Sequence, residues 1–363
     1  DVIVYTRSVG GHPVNPKNVN LIINVPISEN KLDKNLIENE GIGKAFDKFY
    51  KSIKFDIGIY EEIISNKQVK IGEEMVGVYD WLSKQKYSFG IAEFNCIVGP
   101  FAIFEALGIE NTFNVSATPF LPGYLQYLEI DTTLLNIPEY STAMPGDWLN
   151  NDGLLGKNSR RYAENVIKRI VNNKGLACFH SQLWLAIFNS FYDEGNVNDL
   201  RLPSSIEFLF REIKLHFVNQ NSHANFREFP ASEKIISIGG ILVEQNKILI
   251  HEKVKADDSE AIYAGVPLIC IPNNGDQFYN SSLVEHLGIG IYVKLNVSDE
   301  DGVDSEVFGA DFQNALNKMM IDDNIYQKTA DELRTKILLD LKENGPKKNI
   351  FLEKISEVIV IDF

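Results

Sequence analysis

Positive charge is what this 363-residue sequence is short of: 35 Lys and Arg stand against 50 Asp and Glu, a formal net charge of -15. The deficit argues against a polyanion such as nucleic acid, or an anionic membrane surface, as the bulk partner. A nucleotide stays within reach, because a few backbone N–H groups at a helix start can hold phosphates. Cysteine is scarce as well. Cys96, Cys178 and Cys270 are far apart and each sits among apolar residues, so there is no zinc spacing and at most one disulfide, and buried thiols are the simpler reading. No apolar run is long enough to span a membrane: the best, residues 176–192, is interrupted by His180, Ser181, Gln182 and Asn189, against a requirement of about 20 mostly apolar residues. Also missing are an initiator Met and a signal peptide. The chain opens at Asp1 and runs straight into Val2-Ile3-Val4-Tyr5, a buried-strand pattern, as a chain truncated at its front would.

What is present reads as α/β. The hydrophobic content of 44% is that of a globular protein, and the length suits two α/β domains better than one core. After the first strand come a Gly/Pro loop at 7–17, a second strand at 21–25 and helices from about Lys34. A strand at 87–94, a helix at 99–107 ending on Gly108 and a strand at 112–115 make a parallel βαβ unit. Residues 137–148 form a long loop. The helix 159–171 carries Arg160, Arg161, Lys168 and Arg169 on what the spacing predicts to be a solvated face. A strand follows at 288–295, then amphipathic helices at 312–320 and 324–341. Asn114-Val115-Ser116 and Asn296-Val297-Ser298 are glycosylation sequons, compatible with a lumenal location.

The most informative stretch is 260–280. Its helical part, 259–263, stops at Gly265, suited to a left-handed C-cap, with Pro267 just beyond. Residues 268–271 read as a strand buried on both faces of a parallel sheet. Pro272-Asn273-Asn274-Gly275 breaks that strand and Asp276-Gln277 follows at its carboxyl end, where open α/β sheets bind ligands.

The spacing Glu260, Gly265-Val266-Pro267, Pro272, Asp276-Gln277, Asn280 resembles the donor-binding signature of the UDP-glycosyltransferases, which include the UDP-glucuronosyltransferases. A structural alternative is a surface Asp-Gln at a strand end beside a solvated Glu260. Residues 90–96 and 104–109 resemble the acceptor-domain segment of the same family, most closely its nematode-like members, and residues 216–221 and 234–241 resemble the entry to its linker. The resemblance implies a glycosyltransferase-B type α/β fold of two Rossmann-like domains, the second shortened: an acceptor-binding domain at 1–235, a UDP-sugar donor domain at 236–345 and a tail at 346–363.

It also implies inverting glucuronosyl or glucosyl transfer from a UDP-sugar, the co-substrate, to a hydroxyl of a small lipophilic acceptor, without metal or cofactor. Such transfer is the chemistry of detoxification at the endoplasmic reticulum lumen and membrane. By the resemblance Glu260 faces the ribose diol and Asp276 and Gln277 the sugar hydroxyls. Glu93 would orient a catalytic histidine, the alternative being a strand-end charge. That histidine lies upstream of the first strand in the family, and His12 is the nearest substitute in sequence, more simply a loop histidine. His180, His216, His223, His251 and His286 match no catalytic position. Phe120, Tyr124, Tyr127 and Trp148 suit an apolar acceptor or plain packing. Only nineteen residues separate Gly240 from Glu260, where the family has several strand-helix units and its pyrophosphate turn, and Asp257 stands where a phosphate-facing Ser is common. The resemblance thus has gaps at front, middle and end. An impaired transferase is the expectation, with a non-catalytic relative or partial gene product that associates with an intact member as its rival.

Overall fold

The computed structural model describes residues 2–6, 16–28, 31–50, 58–94, 98–139, 143–147, 155–175, 186, 202–245, 258–273, 276–295, 297–298, 302–303, 305–321 and 323–359. It is an α/β protein that divides into two compact units, residues 1–115 with 178–214, and residues 116–177 with 215–363.

In the first unit β1 (Val2–Tyr5) and β2 (Leu21–Asn24) pair in parallel, Val2 opposite Leu21. Helices α1 (Lys34–Glu40) and α2 (Ile42–Tyr50) pack beside each other around Leu32, Ala45 and Phe49. Asp33 starts α1 by accepting the Leu36 amide at 3.2 Å, a side-chain cap for an otherwise orphaned N–H. The helix α3 (Tyr60–Ile64) leads into an antiparallel hairpin of β3 (Gln68–Ile71) and β4 (Glu74–Gly77), then α4 (Val78–Leu82). The expected βαβ unit follows: β5 (Gly90–Ala92), α5 (Gly99–Ala106) and β6 (Thr112–Ser116), with Gly90 opposite Thr112 in parallel register. β5 is shorter than the predicted 87–94. Its core is aromatic, Phe94 packing edge-on to Phe210 at 4.8 Å, on the helix α7 (Ile206–Glu212).

The second unit holds two parallel pairs. β7 (Leu215–Val218) pairs with β8 (Ile235–Ser237), His216 opposite Ile235. β9 (Leu268–Cys270) pairs with β10 (Gly290–Tyr292), and the crossover between them is the helix α10 (Gln277–His286). The remaining helices are α6 (Arg160–Gly175), α8 (Ile241–Gln245), α9 (Asp258–Ala264), α11 (Ser305–Met319), α12 (Ile325–Asn344) and α13 (Lys347–Val358), with a short antiparallel pair β11 (Val297–Ser298) and β12 (Gly302–Val303) before α11. Val243, Tyr263, Val284, Ile289, Ala330, Leu333 and Ile337 form one buried cluster, which places α8, α9, α10 and α12 around the β9–β10 pair. Gly265 has φ +69, the left-handed turn the sequence predicts after α9.

Several expectations change. Arg169, assigned to a solvated face, is buried at 2% exposure, because its Nη1 donates to the Thr132 and Leu135 carbonyl oxygens. Arg161 is half-buried in a two-bond pair with Asp147, Nη2 to Oδ2 at 2.7 Å and Nε to Oδ1 at 3.0 Å. β9 is only partly buried, and Ile271 after it is 40% exposed. The tail after Gly345 is mostly helix, α13. The first sequon cannot carry a glycan in this fold: Asn114 is buried in β6 and its Oδ1 accepts the Phe94 amide at 2.8 Å. No helix among the described residues is long and apolar enough to cross a membrane.

Candidate functional site

The strand β9 delivers the chain to Pro272 and Asn273, and α10 begins one residue after Asp276. Asp276 sits at the cap position with helical backbone angles, φ -75 and ψ -8, and makes no side-chain cap bond. Its carboxylate is therefore not spent on the helix end, and among the described residues its Oδ2 takes only a long 3.4 Å bond from Asn280 Nδ2, one turn on. Gln277 is anchored from both sides. Its Oε1 accepts the Asn273 N–H at 2.8 Å and its carbonyl accepts Ser281 Oγ at 2.7 Å, which ties Asn273 to the first turn of α10.

These residues form one wall of a pocket of about 330 Å³ within the second unit. The facing wall comes from the ends of the other parallel pair: Asn219, Gln220 and Asn221 after β7, and Gly239 and Gly240 after β8. Tyr263, on α9, is the floor. Its hydroxyl accepts from Asn221 Nδ2 at 2.8 Å and donates to the Gly239 carbonyl, and burial pushes its pKa up to about 12, so it remains a neutral donor and acceptor. Gly240 must be glycine here: φ is +99 and the Tyr263 hydroxyl fills the space a Cβ would take. The pocket thus lies at the carboxyl ends of parallel strands, where strand-end loops converge and backbone groups stay accessible. Among the described residues its lining holds no Lys or Arg. Among the described residues its polar side chains are amides, one hydroxyl, one carboxylate and the Cys270 thiol, a set suited to hydroxyl-rich ligands, each hydroxyl being both donor and acceptor.

Asp276 and Gln277 are brought together with Asn280 on this wall. Glu260 lies in α9, one turn before Tyr263, and its side chain falls outside the described residues. Glu93 belongs to the first unit, half-buried directly after β5. His12, His180 and His251 fall outside the described residues. His216 is fully buried edge-on to Phe120 at 5.5 Å, and burial, with a smaller contribution from Lys234, drives its pKa down to about 3, so it is neutral at physiological pH. Phe120 and Tyr127 are buried, which is the packing reading of that aromatic group; Trp148 lies outside the described residues. Sequence reasoning missed Tyr263 and the Asn219-Gln220-Asn221 wall. The available signal was Gly239-Gly240 closing a strand, a pattern of close backbone approach.

The fold and pocket define an α/β protein with a polar, hydroxyl-compatible site at the ends of two parallel strand pairs. Comparison with known proteins makes the assignment narrower. Residues 242–337 match the family described as UDP-glucoronosyl and UDP-glucosyl transferase. A stretch of 78 residues is 37% identical to nuatigenin 3-beta-glucosyltransferase of Solanum aculeatissimum, and 61 residues are 39% identical to ecdysteroid UDP-glucosyltransferase of Lacanobia oleracea granulosis virus. These stretches span 20% and 17% of this chain, and only 16% and 13% of those two proteins. Among solved structures, Os79 from O. sativa in complex with UDP aligns over 98% of this chain and 93% of its own at TM-score 0.44 and 12% identity. UGT2 of Phytolacca americana, complexed with UDP-2fluoro-glucose and pterostilbene, aligns over 98% and 91% at TM-score 0.45 and 11% identity. None of these comparisons favours the rival of a non-catalytic relative.

Proposed function

We propose that the chain is a UDP-glycosyltransferase that binds a UDP-sugar in the pocket of the second unit and passes glucose or glucuronate to a hydroxyl of a small lipophilic acceptor. The observation that carries this is the Asp276-Gln277-Asn280 wall at the carboxyl end of β9, inside the segment that matches the family. A carboxylate and two amides on one turn can hold several adjacent sugar hydroxyls. Two of the relatives are by name glucosyltransferases, and the solved structures compared are complexes with UDP, with U2F and trichothecene, and with UDP-2fluoro-glucose and pterostilbene. On this reading residues 1–235 bind acceptor and 236–345 bind donor, in a glycosyltransferase-B arrangement, with Asn219, Gln220 and Asn221 of the first segment closing the donor pocket. Glu260 meets the ribose and Glu93 orients the base. The pyrophosphate is poorly held, since the interval between Gly240 and Glu260 is short and Asp257 adds negative charge to it. Transfer is therefore slow, and the expected compartment is the endoplasmic reticulum lumen.

Titration calorimetry with UDP-glucose and with UDP tests the assignment. The intact donor should bind more tightly than UDP, because the pocket is built for the sugar end. Asp276→Ala should erase that preference by about 10-fold or more, the worth of one hydrogen bond to a charged group, roughly 1.5–3 kcal/mol. Tighter binding of UDP alone, or an unchanged preference in the variant, would remove the sugar from this wall.

A further inference from the structure

Three of the amides that line the pocket give their N–H groups to the protein itself. Asn219 Nδ2 donates to the Ala117 carbonyl at 3.1 Å, Gln220 Nε2 to the Ala224 carbonyl at 3.0 Å, and Asn280 Nδ2 to Asp276 Oδ2 at 3.4 Å. Each partner is an oxygen that only accepts, so the way each amide faces is fixed, and what it leaves over is its own oxygen. Among the described residues Asn219 Oδ1, Gln220 Oε1 and Asn280 Oδ1 take no hydrogen bond, and neither does Asp276 Oδ1. The Tyr263 hydroxyl adds no donor, because its proton goes to the Gly239 carbonyl.

The unspent polar atoms of these side chains are therefore acceptors, and one of them is charged. A ligand that satisfies them must bring donors. Sugar hydroxyls do so, whereas a phosphate group at neutral pH brings only acceptor oxygens and negative charge. Size points the same way. A cavity of about 330 Å³ lies at the lower end of ligand pockets, which run from about 300 to 1,000 Å³, and suits one sugar ring better than a sugar with a nucleoside and two phosphates attached. Pro119, Ile262 and Leu283 in the lining offer apolar surface to the C–H faces of such a ring.

We propose that the pocket binds a neutral hexose as a free glycoside, with no nucleotide attached. The inference rests on the reading that the Asp276 wall takes the sugar, and adds that the sugar alone supplies the affinity. It also narrows the sugar to a neutral one, since the carboxylate of a uronic acid brings charge and acceptors to a wall that already has both.

The full chain is titrated by ligand-observed NMR with methyl glucoside, methyl glucuronide and UDP-glucose. Methyl glucoside should bind no more than about 10-fold less tightly than UDP-glucose and be displaced by it, while methyl glucuronide should bind at least about 10-fold less tightly than the glucoside. Asp276→Ala should weaken the glucoside by about 10-fold, as the loss of a hydrogen bond to a charged group does. A larger advantage for UDP-glucose would overturn the inference and leave the donor reading standing. A glucoside that binds where UDP-glucose does not would uphold the inference and remove the donor reading; binding of neither would remove both. Glucuronide binding equal to that of the glucoside, no displacement by UDP-glucose where both bind, or an unchanged affinity in Asp276→Ala would each overturn the inference. The titrations and the displacement use the unaltered chain, so a failure of Asp276→Ala to fold leaves the question decidable.

Discussion

A carboxylate that accepts two backbone N–H bonds is ordinarily easy to ionise, yet Glu285 is not. Its Oε2 accepts from Gly146 at 2.9 Å and its Oε1 from Tyr292 at 3.4 Å. Burial outweighs both bonds, and Asp147 adds repulsion, so its pKa rises from 4.5 to about 7. A raised folded-state pKa means that the native protein holds this proton more tightly than the unfolded chain does. The stability linked to Glu285 is therefore full below about pH 4.5 and is lost as pH climbs through about 7. The whole loss is on the order of 3 kcal/mol, at about 1.4 kcal/mol per pKa unit. Glu285→Gln should flatten that decline. Thermal melts of both proteins between about pH 4.5 and 8.5 measure it, and parallel curves would mean that Glu285 ionises normally. A second residue prediction concerns the pocket floor. Tyr263→Phe keeps the ring but leaves Asn221 Nδ2 and the Gly239 carbonyl without their shared hydroxyl, which should cost about 1–3 kcal/mol. It should also weaken UDP-glucose binding, because Asn221 and Gly239 line the pocket; unchanged Tm and affinity would show that the bridge contributes nothing.

Elements marked by their own residues were legible, and those defined by distant partners were not. Gly265 and Pro267 ended α9 on paper as they do in the fold, and Gly108 did the same for α5. Asp276 and Gln277 could be placed at a strand end because Pro272 breaks the run before them. The opposite wall was invisible, since the Asn221–Tyr263 bond joins residues 42 apart in sequence. Arg169 failed for the same reason: helical spacing gives the face but not the carbonyls that await it. The helix α13 was missed because it follows the last recognisable motif. In the structure it is an integral element. Phe351 meets the fully buried Phe217 edge-on at 4.6 Å, and the Lys347 amide donates to Glu244 Oε2 at 2.7 Å while its ammonium donates to Asp340 Oδ2 at 2.6 Å. Ending the chain at Gly345 exposes Phe217 on β7 and should lower Tm by more than about 5 °C, the shift that roughly 1–2 kcal/mol produces in a domain of moderate size. Phe351→Ala alone should produce a smaller drop of the same sign, and a truncated chain that melts like the full one would return residues 346–363 to the status of a tail.

At the scale of the whole molecule the decisive quantity is charge. A net charge of -15 surrounds a pocket whose described lining offers one carboxylate and no cation to the diphosphate of the proposed UDP-sugar. Coulomb repulsion of this kind is long-ranged and is screened over about 10 Å at 0.1 M salt. Added salt should therefore strengthen UDP binding, the opposite of a site that holds phosphate with Lys or Arg, where salt competes. From about 20 mM to about 200 mM sodium chloride the Kd for UDP should fall a few-fold, and uridine, lacking the diphosphate, should show almost no change. Asp257→Ser should tighten UDP at low salt and shrink the salt effect. A Kd for UDP that instead rises with salt would reveal a cation facing the diphosphate, and the weak hold on pyrophosphate, from which slow transfer was inferred, would have to be given up.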